Sequence, residues 1–288
     1  MFYKLTVSVV CLVTIVCTAV FPAQACTLYA ASGSAVQDGG TLIAKVRDEK
    51  PENQYGYMVK SADGSYGYYG LFTREDGYGL RGGINEKGLV AVSSTVETIA
   101  KSVRLAEPKP PGGVLRELLT HCATVDEALR VSPEVWTSPQ NIMIADKNEV
   151  AYIEIGIGGA YSITREANGT LCHTNHYVNK DMLDNNERAA KESTLTRYER
   201  ITELLSSQKQ FAMNDFIRFS TDQNAGVHNS IWRLGEGGSV QSLAAFIVRI
   251  PAEGAPEVYL KIREKPEKKG QEKIYRFQMS AQNASGRK

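Results

Sequence analysis

The chain of 288 residues has few cysteines and histidines, no surplus of either charge and only one long apolar run. Its five cysteines include no C-x-x-C pair, and its four histidines have no H-x-x-x-H spacing. The ligand spacings that mark common zinc sites are therefore missing. A formal net charge of +1 gives no footing for nucleic acid or for an anionic membrane surface. After the first apolar run, Leu5 to Phe21, no stretch is long enough to span a bilayer. No internal repeat or low-complexity linker divides the chain.

The N-terminus predicts the compartment. Lys4 precedes the apolar run, and Pro22 and Ala23-Gln24-Ala25 follow it. A charged start, an apolar stretch and an A-x-A triplet form a secretory signal peptide. Cleavage after Ala25 predicts an exported protein, periplasmic or secreted, with Cys26 as its first residue. The predicted organisation is a signal peptide at 1–25, one domain at 26–266 and a polar tail at 267–288. The processed chain carries 32 basic and 32 acidic residues, because Lys4 is the only charge removed. Cys11 and Cys17 leave with the peptide. Cys26, Cys122 and Cys172 stay, and an odd count leaves one thiol free or shared between chains. A Cys122–Cys172 bridge is open on sequence alone.

Along the processed chain, strands are expected at Cys26–Ala31, Thr41–Val46, Tyr55–Lys60, Tyr66–Thr73 and Leu89–Thr95. Gly112–Arg130 has helical spacing, with Thr124 placed to cap a second helix. Ile142–Ala145 and Val150–Ile155 form one expected hairpin; Tyr161–Thr164 and Gly169–His173 form another. Helices follow at Glu187–Leu205 and Met213–Phe219, then a strand pair at Ser242–Ile250 and Pro256–Ile262. Strands at both ends with helices between them predict an α+β fold.

A cysteine at a new N-terminus supplies two catalytic groups at once. Its thiol is the nucleophile, and its α-amine, with a reference pKa of about 7.7 to 8.0, is a base bonded to the same Cα. A lipid-anchored cysteine is the rival reading. It is disfavoured by Ala23 and the bulky polar Gln24 in the positions before the cut.

Cys26-Thr27 behind a signal sequence resembles the N-terminal nucleophile hydrolases, and more closely the group of choloylglycine hydrolases, penicillin V acylases, acid-ceramidase-like amidases and acyl-CoA:6-aminopenicillanate acyltransferases. Ala44-Lys45-Val46-Arg47-Asp48 resembles the G-R-N-x-D segment of that group. Gly83-Ile84-Asn85-Glu86-Lys87-Gly88-Leu89 resembles its G-M/I-N-E-K-G-L turn. His173-Thr174-Asn175-His176-Tyr177 resembles its T-N-H segment, and Arg197-Tyr198-Glu199-Arg200 its R-x-x-R-Y-E-R-type helix. The resemblance implies a four-layer αββα sandwich of two stacked, mainly antiparallel sheets. Asp48 falls on the aspartate that holds the α-amine. Lys45 stands where an arginine is usual near the thiol; it keeps the charge and loses the planar fork. Asn175 falls on an asparagine that donates to the oxyanion. A second donor is expected near Ser94 or Thr95, and Arg233 falls on a late arginine.

The expected reaction is hydrolysis of a linear, non-peptide N-acyl amide through a thioester on Cys26. It needs no cofactor and has a small-molecule substrate as its partner. An acyltransferase using the same thioester, a dipeptidase of the N-terminal-cysteine type and a lipid-anchored envelope binding protein are the alternatives. Leu71, Phe72, Tyr68, Tyr69 and Trp136 are candidates for either an acyl pocket or the core. Membrane insertion after processing is not expected, and the state of assembly is left open, a homo-oligomer included.

Overall fold

The computed structural model describes residues 25–61, 64–263 and 271–279. The expected signal peptide up to Gln24 lies outside the described residues. The strands are β1 Ala25–Ser32, β2 Thr41–Glu49, β3 Tyr55–Val59, β4 Tyr68–Phe72, β5 Leu80–Asn85, β6 Val90–Ser94, β7 Gln140–Ala145, β8 Val150–Ile155, β9 Tyr161–Glu166, β10 Thr170–His173, β11 Gln241–Ile250, β12 Glu257–Arg263 and β13 Glu272–Gln278. The helices are α1 Lys101–Ala106, α2 Val114–His121, α3 Val125–Leu129, α4 Glu192–Ser206, α5 Met213–Phe219 and α6 Gly226–Asn229.

Two antiparallel sheets result, ordered β10-β1-β2-β11-β12-β13 and β3-β4-β5-β6-β7-β8-β9. Strand alternation sorts their side chains into three apolar layers. Leu28, Ala30 and Ile43 of the first sheet meet Leu71, Ile84, Val92 and Met143 of the second between the sheets. On the outer face of the first sheet, Tyr29, Leu42, Ala44 and Val46 pack against Ile201 of α4 and Phe216 and Phe219 of α5. On the outer face of the second, Ala91, Ile142 and Ile153 pack against Leu115, Leu118 and Leu119 of α2. The stack is helix, sheet, sheet, helix, the expected α+β αββα sandwich.

Several local expectations are corrected. β9 and β10 do not pair with each other: β9 pairs with β8 and β10 with β1, so the chain crosses between sheets at Ala167–Gly169. α4 begins at Glu192, because the backbone N–H groups of Glu187 and Arg188 both donate to the Thr98 carbonyl instead of starting a helix. The polar tail expected from 267 is, over Glu272–Gln278, an edge strand in register with β12, so the described sheet runs past residue 266. The three cysteines are all free, and no Cys122–Cys172 bridge forms. Cys122 sits in the core beneath the second sheet and Cys172 beside Thr202 of α4. Tyr68, Tyr69, Leu71, Phe72 and Trp136 are all core residues, not an acyl pocket. Thr124 caps α3 as expected, its Oγ1 accepting from the Glu127 N–H at 3.1 Å.

Candidate active site

The β1–β2 pair builds one wall of the site. Its register opposes Leu28 to Lys45, Cys26 to Arg47 and Ala25 to Asp48. Opposed residues share a face, so Cys26, Lys45 and Arg47 point between the sheets with Leu28, Ala30 and Ile43. Thr27 and Asp48 point toward the helices. Asp48 belongs to the strand, not to the turn that its Glu49-Lys50-Pro51 neighbours suggest.

Lys45 is 1% exposed and reaches from the first sheet into the second. Its Nζ donates to the Arg81 carbonyl of β5 at 2.7 Å and to the Ser93 carbonyl of β6. Burial pulls its pKa down to about 8, with Arg47 and Arg81 pulling the same way, while Cys26 and Asp48 pull it up.

On the helix side, buried Asp48 faces Ser242 and Arg233. Its Oδ1 accepts from Ser242 Oγ at 2.6 Å, and its Oδ2 lies 3.4 Å from Arg233 Nε. That Oδ2 has no hydrogen-bond partner. Burial pushes the carboxyl above its ordinary range, against the opposing pull of Arg233, Arg197, Ser242 and Arg47. Arg233 also donates to Ser193 Oγ.

Asn175 follows β10 and is fully buried. Its Oδ1 accepts from the Cys26 N–H at 2.9 Å and from Arg197 Nη2 at 2.9 Å. Its Nδ2 donates to the Thr95 carbonyl at 2.7 Å. An amide group has two N–H donors, and Thr95 takes one of them. Its own backbone N–H donates to Thr194 Oγ1 of α4 at 2.9 Å, which locks the segment to the helix.

Of Ser94 and Thr95, Thr95 lies on the cleft beside Cys26. The cleft is lined by Cys26, Lys45, Arg47, Asp48, Glu49, Arg81, Ser93 and Thr95. Ser94 is absent from this lining, and its hydroxyl is taken up: it donates to the Thr174 carbonyl and accepts from Asn141 Nδ2 at 3.4 Å. The cleft has a volume of about 20 Å³, room for roughly one water. A larger cavity of about 470 Å³ lies among the Asn85–Gly88, Asp146–Asn148 and Pro251–Gly254 turns. It sits at the Thr41 end of β2, about 20 Å along the strand from Arg47, and its lining includes none of the groups around Cys26.

Three arginines complete the site beyond the expected set. Arg197 of α4 is fully buried and donates to the Cys26 carbonyl at 2.6 Å, to Thr27 Oγ1 at 2.9 Å and to Asn175 Oδ1. Burial and Arg233 pull its pKa down to about 10. Arg47 could have been found by period two, two residues past Lys45 on one strand. Arg197 lies in a segment already singled out by resemblance. Arg81 carries no sequence signal, because only the pairing of β5 inside the second sheet brings it near Cys26.

The histidines of the T-N-H segment are occupied elsewhere. His173 Nε2 and Glu154 Oε1 lie 2.7 Å apart, both fully buried. His176 Nδ1 lies 3.2 Å from Thr174 Oγ1 and 3.3 Å from Thr194 Oγ1. Burial and His173 bring its pKa to about 4, so its ring is neutral at neutral pH.

Comparison with known proteins agrees with this geometry. Residues 35–258 match the family model described as acyl-coenzyme A:6-aminopenicillanic acid acyl-transferase. A search of curated protein sequences finds no match. Among solved structures, the fold is similar to that of penicillin V acylase from Agrobacterium tumefaciens, with a TM-score of 0.52 at 14% identity over 89% of this chain and 88% of that one.

Proposed function

The chain belongs to the acyl-coenzyme A:6-aminopenicillanic acid acyl-transferase family, and from that premise we propose that it is an exported amidase cutting a linear, non-peptide N-acyl bond with Cys26 as its N-terminal nucleophile. Removal of the signal peptide at Ala25 frees the α-amine. The amine takes the thiol proton, and the thiolate attacks the amide carbonyl. The tetrahedral oxyanion accepts from the remaining Asn175 N–H and a donor at the Thr95 position. Its collapse breaks the C–N bond, and the α-ammonium returns the proton to the leaving amine. Water, deprotonated by the same amine, then cleaves the thioester and releases the acid. Lys45 holds positive charge beside the sulfur, and Arg233 steadies Asp48.

The observation that carries this reading is the buried Asp48 Oδ2. It is an acceptor without a hydrogen-bond partner on the residue whose β-pair partner is Ala25, next to the bond that must break. An α-ammonium arriving there gains an ion pair and a hydrogen bond. The family's description also favours a second reading, in which an acceptor amine replaces water in the second half-reaction.

The test compares chains that begin at Cys26 with chains retaining a few residues before it, using a panel of N-acyl amides. The extended chain should fold and be inactive, because an amide nitrogen has no basic lone pair. Site-specific proteolysis at Cys26 should restore turnover, and Cys26→Ala should stay inactive in either form. Equal turnover of extended and trimmed protein would rule out the amine as base.

A further inference from the structure

The cleft beside Cys26 holds more positive charge than its acidic groups answer. Arg47 is 2% exposed, yet only its Nη2 is engaged, by Glu52 Oε1. Its Nε and Nη1 have no hydrogen-bond partner, and neither does the buried Nε of Arg81 across the same cleft. Glu52 is 40% exposed, so its pull on Arg47 is screened by water. Of the other carboxylates at the cleft, Asp48 faces Ser242 and Arg233 on the helix side, and Glu49 Oε1 accepts from the Lys50 N–H. Burial lowers the Arg81 pKa and the repulsion of Arg47 lowers it further, against smaller opposing pulls from Cys26, Glu52 and Glu49. Buried donors left unpaired are costly. The planar fork of arginine matches the two oxygens of a carboxylate in bidentate geometry.

We infer that Arg47 and Arg81 form an anion subsite next to Cys26, and that the amide cleaved here carries a carboxylate close to its scissile bond. The inference rests on the reading of Cys26 as the nucleophile. Cys26 and Arg47 are directly opposed on β1 and β2, so their Cα atoms are about 4.5 to 5.5 Å apart. A group held by the Arg47 fork therefore lies within a few bonds of a carbonyl on the sulfur. Both arginines act on substrate specificity, not on bond cleavage.

Alkylation of the trimmed chain tests the subsite without requiring amide turnover. Iodoacetate and iodoacetamide form the same kind of thioether with loss of iodide, and differ in carrying a carboxylate or a neutral amide. The subsite predicts that iodoacetate modifies Cys26 faster relative to iodoacetamide than it modifies free cysteine, and that its rate saturates. Peptide mass mapping separates Cys26 from Cys122 and Cys172, which are also free. Arg47→Gln and Arg81→Gln should each lower the rate ratio about tenfold or more, the effect of losing one charge-assisted hydrogen bond. Arg47→Lys should fall between, with charge kept and fork lost. If Arg47→Gln does not fold, Arg81→Gln and protection of wild-type Cys26 by succinate give the same readout. A wild-type ratio no higher than that of free cysteine, or one that neither substitution lowers, overturns the subsite.

Matched amides show where the carboxylate sits: an N-acylglycine against its glycinamide for the amine half, and a succinyl amide against its methyl ester for the acyl half. Neutralising the correct half should slow the wild type about tenfold or more and leave Arg47→Gln unchanged. Turnover indifferent to charge on both halves overturns the subsite while the amidase reading stands. A high alkylation ratio with no amide cleaved overturns the amidase reading alone.

Discussion

Replacing Arg197 by methionine tests the architecture most directly. The substitution keeps an unbranched apolar stem and removes the guanidinium from a fully buried position. It deletes three hydrogen bonds, to the Cys26 carbonyl, Thr27 Oγ1 and Asn175 Oδ1. A bond involving a charged partner contributes roughly 1.5 to 3 kcal/mol, so three represent about 4.5 to 9 kcal/mol. Against this, burying the cation already carries a penalty of roughly 3 kcal/mol, since its pKa is pulled down to about 10. The expected net destabilisation is about 3 kcal/mol, the order found when one partner of a buried ionic network is removed. Urea unfolding should show a lower midpoint at an unchanged slope. Amide turnover should fall in kcat, because Cys26 and Asn175 share the lost anchor. Arg197→Lys should recover part of the stability, since a lysine reaches fewer of the three acceptors. Arg200→Met, one turn along α4, is the control. Arg200 pairs with Asp222 and Glu203 near the surface, and its loss should matter by under about 1 kcal/mol. The reasoning fails if Arg197→Met unfolds within about 0.5 kcal/mol of the parent or keeps full turnover.

Three further outcomes are expected. Lys45 is charged below about pH 8 and neutral above it, so the thiol loses that charge as pH rises and activity should decline on the alkaline side; Lys45→Arg, always charged, should move this limb upward in a pH–kcat profile, and an unmoved limb would remove Lys45 from the mechanism. The same shift means the unfolded chain binds more protons between about pH 8 and 10.5, so the Lys45 contribution to stability should improve with pH across that window. Thiol titration of the chain starting at Cys26, unfolded without reductant, should find three thiols, since all three cysteines are free, and a count of one would restore the bridge.

The parts legible in the sequence were those set by short-range rules. Alternation located β1, β2, β4, β6, β7 and β8, and the N-cap chemistry of Thr124 located the break between α2 and α3. β5 was hidden because Gly82-Gly83 reads as a turn, although flanking strands supply its hydrogen bonds. β13 was hidden because Glu272, Lys273 and Arg276 give it the charge expected of a tail; an edge strand with solvent on one side tolerates such charge. The pairing of β9 and β10 with each other failed for a different reason. Closeness in sequence favours a hairpin, but Leu171 and His173 bury themselves against β1, in the other sheet.

The sequence by itself determined the sandwich, through periodicity and resemblance, and placed Cys26 and Lys45 on two neighbouring strands, with Arg47 and Asp48 just past the end of the second. Their register needs only one connection of eight residues, Gly33 to Gly40, so little chain entropy stands between pattern and geometry. The tertiary structure alone decided what surrounds them. Arg197 reaches Cys26 from 171 residues away and Asn175 from 149, while Lys45 meets the Arg81 and Ser93 carbonyls of the opposite sheet. It also put Thr95, and not Ser94, on the lining of the cleft. Those choices depend on how two sheets stack and on which buried donors find acceptors, and no window of sequence encodes a contact between layers.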